Sequence, residues 1–495
     1  MKKNLMFTAF IFMATLALAN AKSTIVSIEQ SEKLFTEADR APASAVGAGS
    51  GSGGGHARFA KIINSLIEEN VFYGAAAFIA DIPPSVRTQE MEVNLNLLYY
   101  KVGARYLERV LGDRLAEAKW SVAKYIYARK LYLENKGESA LNILGSISAD
   151  YSIFASAQLI EASVLGQMGR NEESIEKYLR CYKSADSYLG SLSGKEQFDD
   201  ERKTLEIVRD ECILGIARTY YAAGDYYNAH LTYLDIQKDS YLWPQVPVEE
   251  AWNSYALKDY NRTLGKLATY KAPFFSMVFN PEIEVLRTLT YMEMCLWGDA
   301  KETVDHFYSY YSDDMLKLLK EVRSHAGDEK YFLQLMKSNE NAAHELGGNL
   351  QEELLSMIAQ SHAYKDMHKS VIEAREEIER IKELKGKDSI KAAISKNIDA
   401  FIVRQLGTMG GLIEDLMMRK LVELEAAFKS LSYIKLEILG KEKGQLYTAA
   451  NQGERARGDI AFLQRNDKQY FWTFNGEFWA DELGDYVFAL GSECR

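Results

Sequence analysis

The stretch that decides the fold is "ARTYYAAGDYYNAHLTYL", residues 217–234. Ala217 leads it, Gly224 follows seven residues on, Ala229 comes five beyond that, and Tyr233 four further. Three other stretches keep this spacing. "ARKLYLENKGESALNIL" (128–144) supplies Ala128, Asn135, Ala140 and Leu144, and "ASVLGQMGRNEESIEKYL" (162–179) supplies Ala162, Gly169, Ser174 and Tyr178. "AWNSYALKDYNRTLGKL" (251–267) supplies Ala251, Lys258, Thr263 and Leu267. The first and second copies, like the third and fourth, are offset by 34 residues, and an insertion around 189–203 lengthens the remaining interval. The pattern has a physical reading. Two small residues facing each other let antiparallel helices approach closely, a Gly or Asn between them takes the left-handed conformation that ends the first helix, and the large residue closes the contact. The chain is predicted to be a series of helical hairpins.

Over about residues 120–310 this arrangement resembles the tetratricopeptide repeat, with 217–234 the nearest match. The resemblance implies an all-α superhelical solenoid, predicted over 58–314. It also implies that the first helix of each hairpin lines a concave face, which would place Tyr125, Arg129, Tyr132, Arg218, Tyr221, Trp252 and Tyr255 there. Rings offer contact area at low entropy cost, and Arg can fork a carboxylate, so such a face suits capture of a protein or peptide. The alternative reading is that several of these tyrosines pack between repeats. A fifth, poorer copy is read through "YMEMCLWGDAKETVDHF" (291–307), with Tyr291 in the small-residue slot, and 58–112 holds a degenerate leading unit.

Working outward, residues 315–450 lose the repeat and become long, charge-rich and free of Pro. Ile390, Ile394, Phe401, Leu406, Ile413 and Leu416 recur at roughly heptad spacing. This predicts two long helices folding back at "KGKD" (385–388) as an antiparallel coiled coil, or pairing between chains as a homo-oligomer. Gly407, Gly410 and Gly411 mark a bend or a close contact in the second helix. Residues 451–495 end in "FWTFNGEFWADELGDYVFAL" (471–490), where Asn475-Gly476 between aromatics signals a hairpin. A small β-meander is predicted, with Trp472 opposite Trp479 and a third strand over 485–490. Its carboxylates fall at turns and strand ends, without the His, Lys or nucleophile that acid/base catalysis would need.

The first residues, "MKKNLMFTAFIFMATLALANAKS", read as a secretory signal peptide over 1–21, with an A-x-A site at Ala19 and Ala21. The Gly/Ser-rich linker 41–56 closes a flexible segment, 22–57. The expected location is therefore a periplasm or the exterior, with no membrane-spanning segment. Removing Lys2 and Lys3 takes the formal charge from −11 to −13, which disfavours nucleic acid as a partner. Cys181 and Cys212 would fall on adjacent helices and could pair, with buried free thiols the alternative. Neither metal nor cofactor spacing is present, and His362 and His368, six apart, face different ways on a helix. The reading is a non-catalytic scaffold of a cell-envelope complex, similar in plan to periplasmic repeat proteins of gliding-motility machines. The alternatives are a peptidoglycan-processing factor with a superhelical domain and a homotypic coiled-coil assembly protein.

Overall fold

The computed structural model describes residues 63–79, 88–117, 119–192, 194, 198–275, 278–340, 349–384, 388–446 and 470–494. The signal peptide, the flexible segment and residues 451–469 lie outside them. All regular structure among the described residues is helical. The chain divides into two compact units, Met1–Gly215 with Ser370–Val403, and Ile216–Lys369 with Arg404–Arg495.

In the first unit, Phe72–Ile79 (α1) and Gln89–Leu111 (α2) pack together. Two hairpins follow: Ser121–Leu133 (α3) with Gly137–Leu144 (α4), and Ile153–Gln167 (α5) with Asn171–Leu192 (α6). Asp199–Ala223 (α7) then begins a third, completed in the second unit by Tyr226–Tyr233 (α8). Val246–Ala256 (α9) with Tyr260–Ala268 (α10), and Glu282–Glu293 (α11) with Trp297–Ser324 (α12), are the fourth and fifth.

The turns repeat one geometry. Asn135, Gly169, Gly224 and Lys258 all have positive φ, 59° to 82°. In each case the next N–H donates to the carbonyl five residues back: Lys136 to Leu131, Arg170 to Leu165, Asp225 to Tyr220 and Asp259 to Ser254, at 2.9–3.0 Å. This bond answers a carbonyl that the helix end leaves without a partner. Beyond the turns, Ala128, Ala140, Ala162, Ser174, Ala217, Ala229, Ala251 and Thr263 are each fully buried. Ser174 Oγ donates to the Ala162 carbonyl at 2.8 Å, a contact open only to helices in close approach. The closing residues Leu144, Tyr178, Tyr233 and Leu267 are buried as well. Tyr178 presses on the next hairpin, where a Cβ on Gly215 would lie 2.4 Å from its ring.

The same signature corrects the fifth copy and locates the leading one. Cys295 has φ 59°, and Leu296 N donates to the Tyr291 carbonyl at 2.8 Å. The small-residue slot is therefore Thr288, fully buried, with Ala300 and Val304 completing the pattern, while Tyr291 stands one turn nearer the helix end. Asn70, with φ 57° and the bond from Val71 N to Leu66 O, shows the leading unit, in which Ile63, Ala75 and Ile79 fill the remaining positions.

Glu329–Glu340 (α13), Leu350–Gln360 (α14), His362–Glu383 (α15) and Asp388–Leu446 (α16) make up the long region. Its helices lie against hairpins rather than standing alone. In the first unit Glu377 of α15 caps α1, accepting from Tyr73 N (3.0 Å) and Gly74 N (2.7 Å), and Phe401 of α16 stacks on Tyr73 and meets Tyr106 edge-on. In the second unit Phe428 of α16 meets Phe307 and Tyr308 of α12. Gly407 and Gly410 touch the start of α13 at Glu329, so these two glycines mark a close contact within an unbroken helix, while Gly411 meets nothing.

The predicted β-meander is absent from the described residues. Gly476 keeps its positive φ, 95°, but Trp472 and Trp479 are exposed and unpaired across strands. The physical reason is competition for backbone groups. Residues 484–494 bond to α10 and to the carbonyl of Met294 instead of to a sister strand.

Candidate functional site

Numbered from the leading small residue, the candidate side chains occupy equivalent places. Arg129, Arg218 and Trp252 stand one residue after it, and Tyr132, Tyr221 and Tyr255 stand four after it, so each set follows one helix face. All six are half-buried, and Tyr125, one turn earlier in α3, is buried.

In the first unit Tyr125 meets Tyr99 of α2 edge-on at 5.7 Å, and Tyr99 meets Tyr100 at 4.9 Å. Burial drives the Tyr99 and Tyr125 phenols above their ordinary range, while the Arg129 guanidinium beside them pulls the other way. The same charge reaches Arg105 of α2, which burial and Arg129 together bring below the usual guanidinium value. Tyr132 Oη accepts from Gln167 Nε2 at 2.9 Å, tying α3 to α5. The result is a face of phenols and guanidinium groups.

In the second unit Arg218 is already engaged. Its Nη2 and Nε donate to the two oxygens of Glu249 at 2.6 and 2.9 Å, and Tyr233 Oη donates to the same carboxylate at 3.1 Å. The fork expected for a ligand carboxylate thus holds a carboxylate of the chain itself. Tyr221 meets Tyr226 at 5.4 Å, Trp252 meets Tyr255 at 5.9 Å, and Tyr255 Oη donates to Glu293 at 3.2 Å. Glu282, at the start of α11, is pushed up to about 7 by burial and then by the charge of Glu423 on α16, against the pull of the Trp252 indole. Residues of α16 therefore share this face with the hairpins.

Repeat spacing alone did not reveal Glu249 or Glu282. Glu249 had a readable signal, since it precedes Trp252, the repeat equivalent of Arg218, by one helical turn. Glu282 had none, because its neighbour Glu423 lies far along the sequence.

A cleft of about 650 Å³ opens elsewhere in the second unit, between residues 270–275 and 278–281, α11 and α12. Phe275, Phe279 and Tyr311 wall it, with Lys271 and Arg287 among several carboxylates. Arg287 Nη1 is held by Glu284 at 2.8 Å, and burial followed by the Arg287 charge lowers the Lys271 ammonium.

Cys181 and Cys212 are bonded, joining α6 to α7. A second disulfide, Cys295–Cys494, was not anticipated from the sequence. Among the described residues no group of three or more His, Cys, Asp or Glu could hold a metal ion, and no helix is long and apolar enough to cross a membrane. Comparison with protein-family models and with curated proteins finds no match to this chain.

Proposed function

We propose that this chain is a non-catalytic, exported scaffold of the tetratricopeptide type, binding an extended segment of an envelope protein along the first-helix faces of the hairpins within a unit. The observation that carries the reading is the recurrence of one turn at Asn70, Asn135, Gly169, Gly224, Lys258 and Cys295, each followed by the same backbone bond. Such a turn sets the first helix of each hairpin in the same way, and the half-buried rings of Tyr132, Tyr221, Trp252 and Tyr255, at equivalent places, are suited to an extended ligand. Burial of Tyr125 and the Arg218–Glu249 pair shift the weight of recognition to Arg129, Tyr132, Trp252 and Tyr255. The signal-like start and the two disulfides support export to an oxidising compartment.

The test is site-specific photo-crosslinking in the native envelope, with the crosslinker placed at Tyr221 and Tyr255 of the second unit, and at the exposed second-helix residues Leu179 and Leu231 as controls. The expected result is one partner captured from both tyrosine positions and not from the controls. Equal capture at all four positions, or turnover of cell-wall sacculi by the purified chain, would refute the proposal.

A further inference from the structure

The end of the chain lies on the second unit as a peptide lies on a receptor. Phe488 N donates to the Asn261 carbonyl at 3.0 Å, Leu490 N to Asn261 Oδ1 at 2.9 Å, and Asn261 Nδ2 donates back to the Leu490 carbonyl at 3.1 Å. One side chain thus holds both backbone groups of Leu490. Farther on, Glu493 N donates to the Met294 carbonyl at 2.9 Å. Phe488 and Leu490 pack on the cluster of Leu264, Met294 and Leu296. Close approach depends on Gly265, where a Cβ would fall 1.7 Å from the Tyr486 carbonyl oxygen. The Cys295–Cys494 bond then seals the contact.

We propose that this face of α10–α12 is a peptide-docking site and that its partner in trans is the tail of a second copy of this chain. Three features support that occupant. The chemistry that fits the site is on display, because the chain's own tail occupies it. The anchors are backbone hydrogen bonds, two apolar side chains and a disulfide, all of which another copy supplies identically. The residues leading into the docked segment leave Tyr470, Trp472 and Trp479 between 59% and 77% exposed, a surface that a joined second copy would cover.

In the exchange, the Cys494 thiolate of an incoming tail attacks Cys295 Sγ. The resident Sγ–Sγ bond breaks, a new one forms, and the displaced Cys494 leaves as thiolate, with no net oxidation. This inference is independent of what binds the first-helix faces.

The test mixes two full-length variants in a glutathione redox buffer: Cys494→Ser, which keeps Cys295, and Cys295→Ser, which keeps Cys494. Glutathione disulfide accepts the two electrons and two protons released as the inter-chain bond forms. A disulfide-linked heterodimer is expected on non-reducing electrophoresis, well above the homodimers that each variant forms alone. Adding Gly265→Ala to the Cys494→Ser chain should reduce it at least tenfold. If that chain does not fold, Asn261→Ala serves in its place. No heterodimer, or an equal yield with the docking face altered, would overturn the proposal.

Discussion

Gly410 and Gly411 are neighbours in α16, yet alanine should act oppositely at the two. At Gly410 a Cβ would sit 2.2 Å from the Glu329 carbonyl oxygen and 2.7 Å from its carbonyl carbon. Non-bonded carbon contacts prefer about 3.5 Å, so α13 and α16 would have to part by roughly 1 Å. The obstacle is helix backbone, which cannot rotate aside as a flexible side chain would. Overpacking of this kind costs about 1–3 kcal/mol, while Ala in place of Gly favours a helix interior by about 1 kcal/mol. Gly410→Ala should therefore destabilise the second unit by up to about 2 kcal/mol. Gly411 has nothing within 4 Å of its would-be Cβ, so Gly411→Ala should stabilise by nearly the full propensity gain, about 1 kcal/mol. Thermal melts followed by circular dichroism resolve the difference, since 1 kcal/mol moves the midpoint of a unit this size by about 2–4 °C. Shifts of the same sign in both variants would refute the packing argument.

Three further outcomes are expected. Burial pushes the Glu377 carboxyl up to about 7, so the folded first unit holds that proton more tightly than the unfolded chain does. Its contribution is complete below about pH 4.5 and is lost as pH rises towards 7, on the order of 3 kcal/mol in all. Midpoints measured between pH 5 and 8 should fall more steeply for the native chain than for Glu377→Gln, and identical slopes would count against it. Lys266 pairs with Glu250 at 2.7 Å, both almost fully buried, so Lys266→Met should cost about 3–5 kcal/mol in urea unfolding. Most of that loss should return in the double variant with Glu250→Leu, and a double variant no better than the single one would contradict the pairing. Lys258 holds φ 63°, a conformation glycine adopts without its Cβ penalty, so Lys258→Gly should raise the midpoint by roughly 0.5–1 kcal/mol equivalent. A loss of stability there would mean that the lysine side chain contributes more than its backbone strain removes.

The hairpins were legible because their spacing reports a steric requirement: Ala128, Ala162, Ala217 and Ala251 had to be small to let helices touch, and all are fully buried. The fifth unit was misregistered because its turn residue is Cys295, a type with no leaning towards positive φ. Ala300 and Val304, four apart, were the clue that would have placed it. The tail was misread for a different reason. Asn475-Gly476 is a sound local turn signal, but strands form only where backbone groups lack better partners, and Asn261 with Met294 offered better ones. Likewise the repeat positions of Tyr132, Tyr221, Trp252 and Tyr255 could be read from periodicity, whereas Glu249, which engages Arg218, belongs to the next hairpin.

The two disulfides differ in when they can be made. Cys181 and Cys212 are 31 residues apart, Cys295 and Cys494 199 apart, and closing the longer loop costs roughly 1.6 kcal/mol more in chain entropy. A polypeptide delivered N-terminus first into an oxidising space can complete the first bond while Cys494 has yet to arrive. Cys295 must wait as a thiol throughout that interval, held in a helix-ending turn. Any chain interrupted before residue 494 keeps that thiol, so a single unpaired sulfur chemically marks molecules that lack the segment docked on α10.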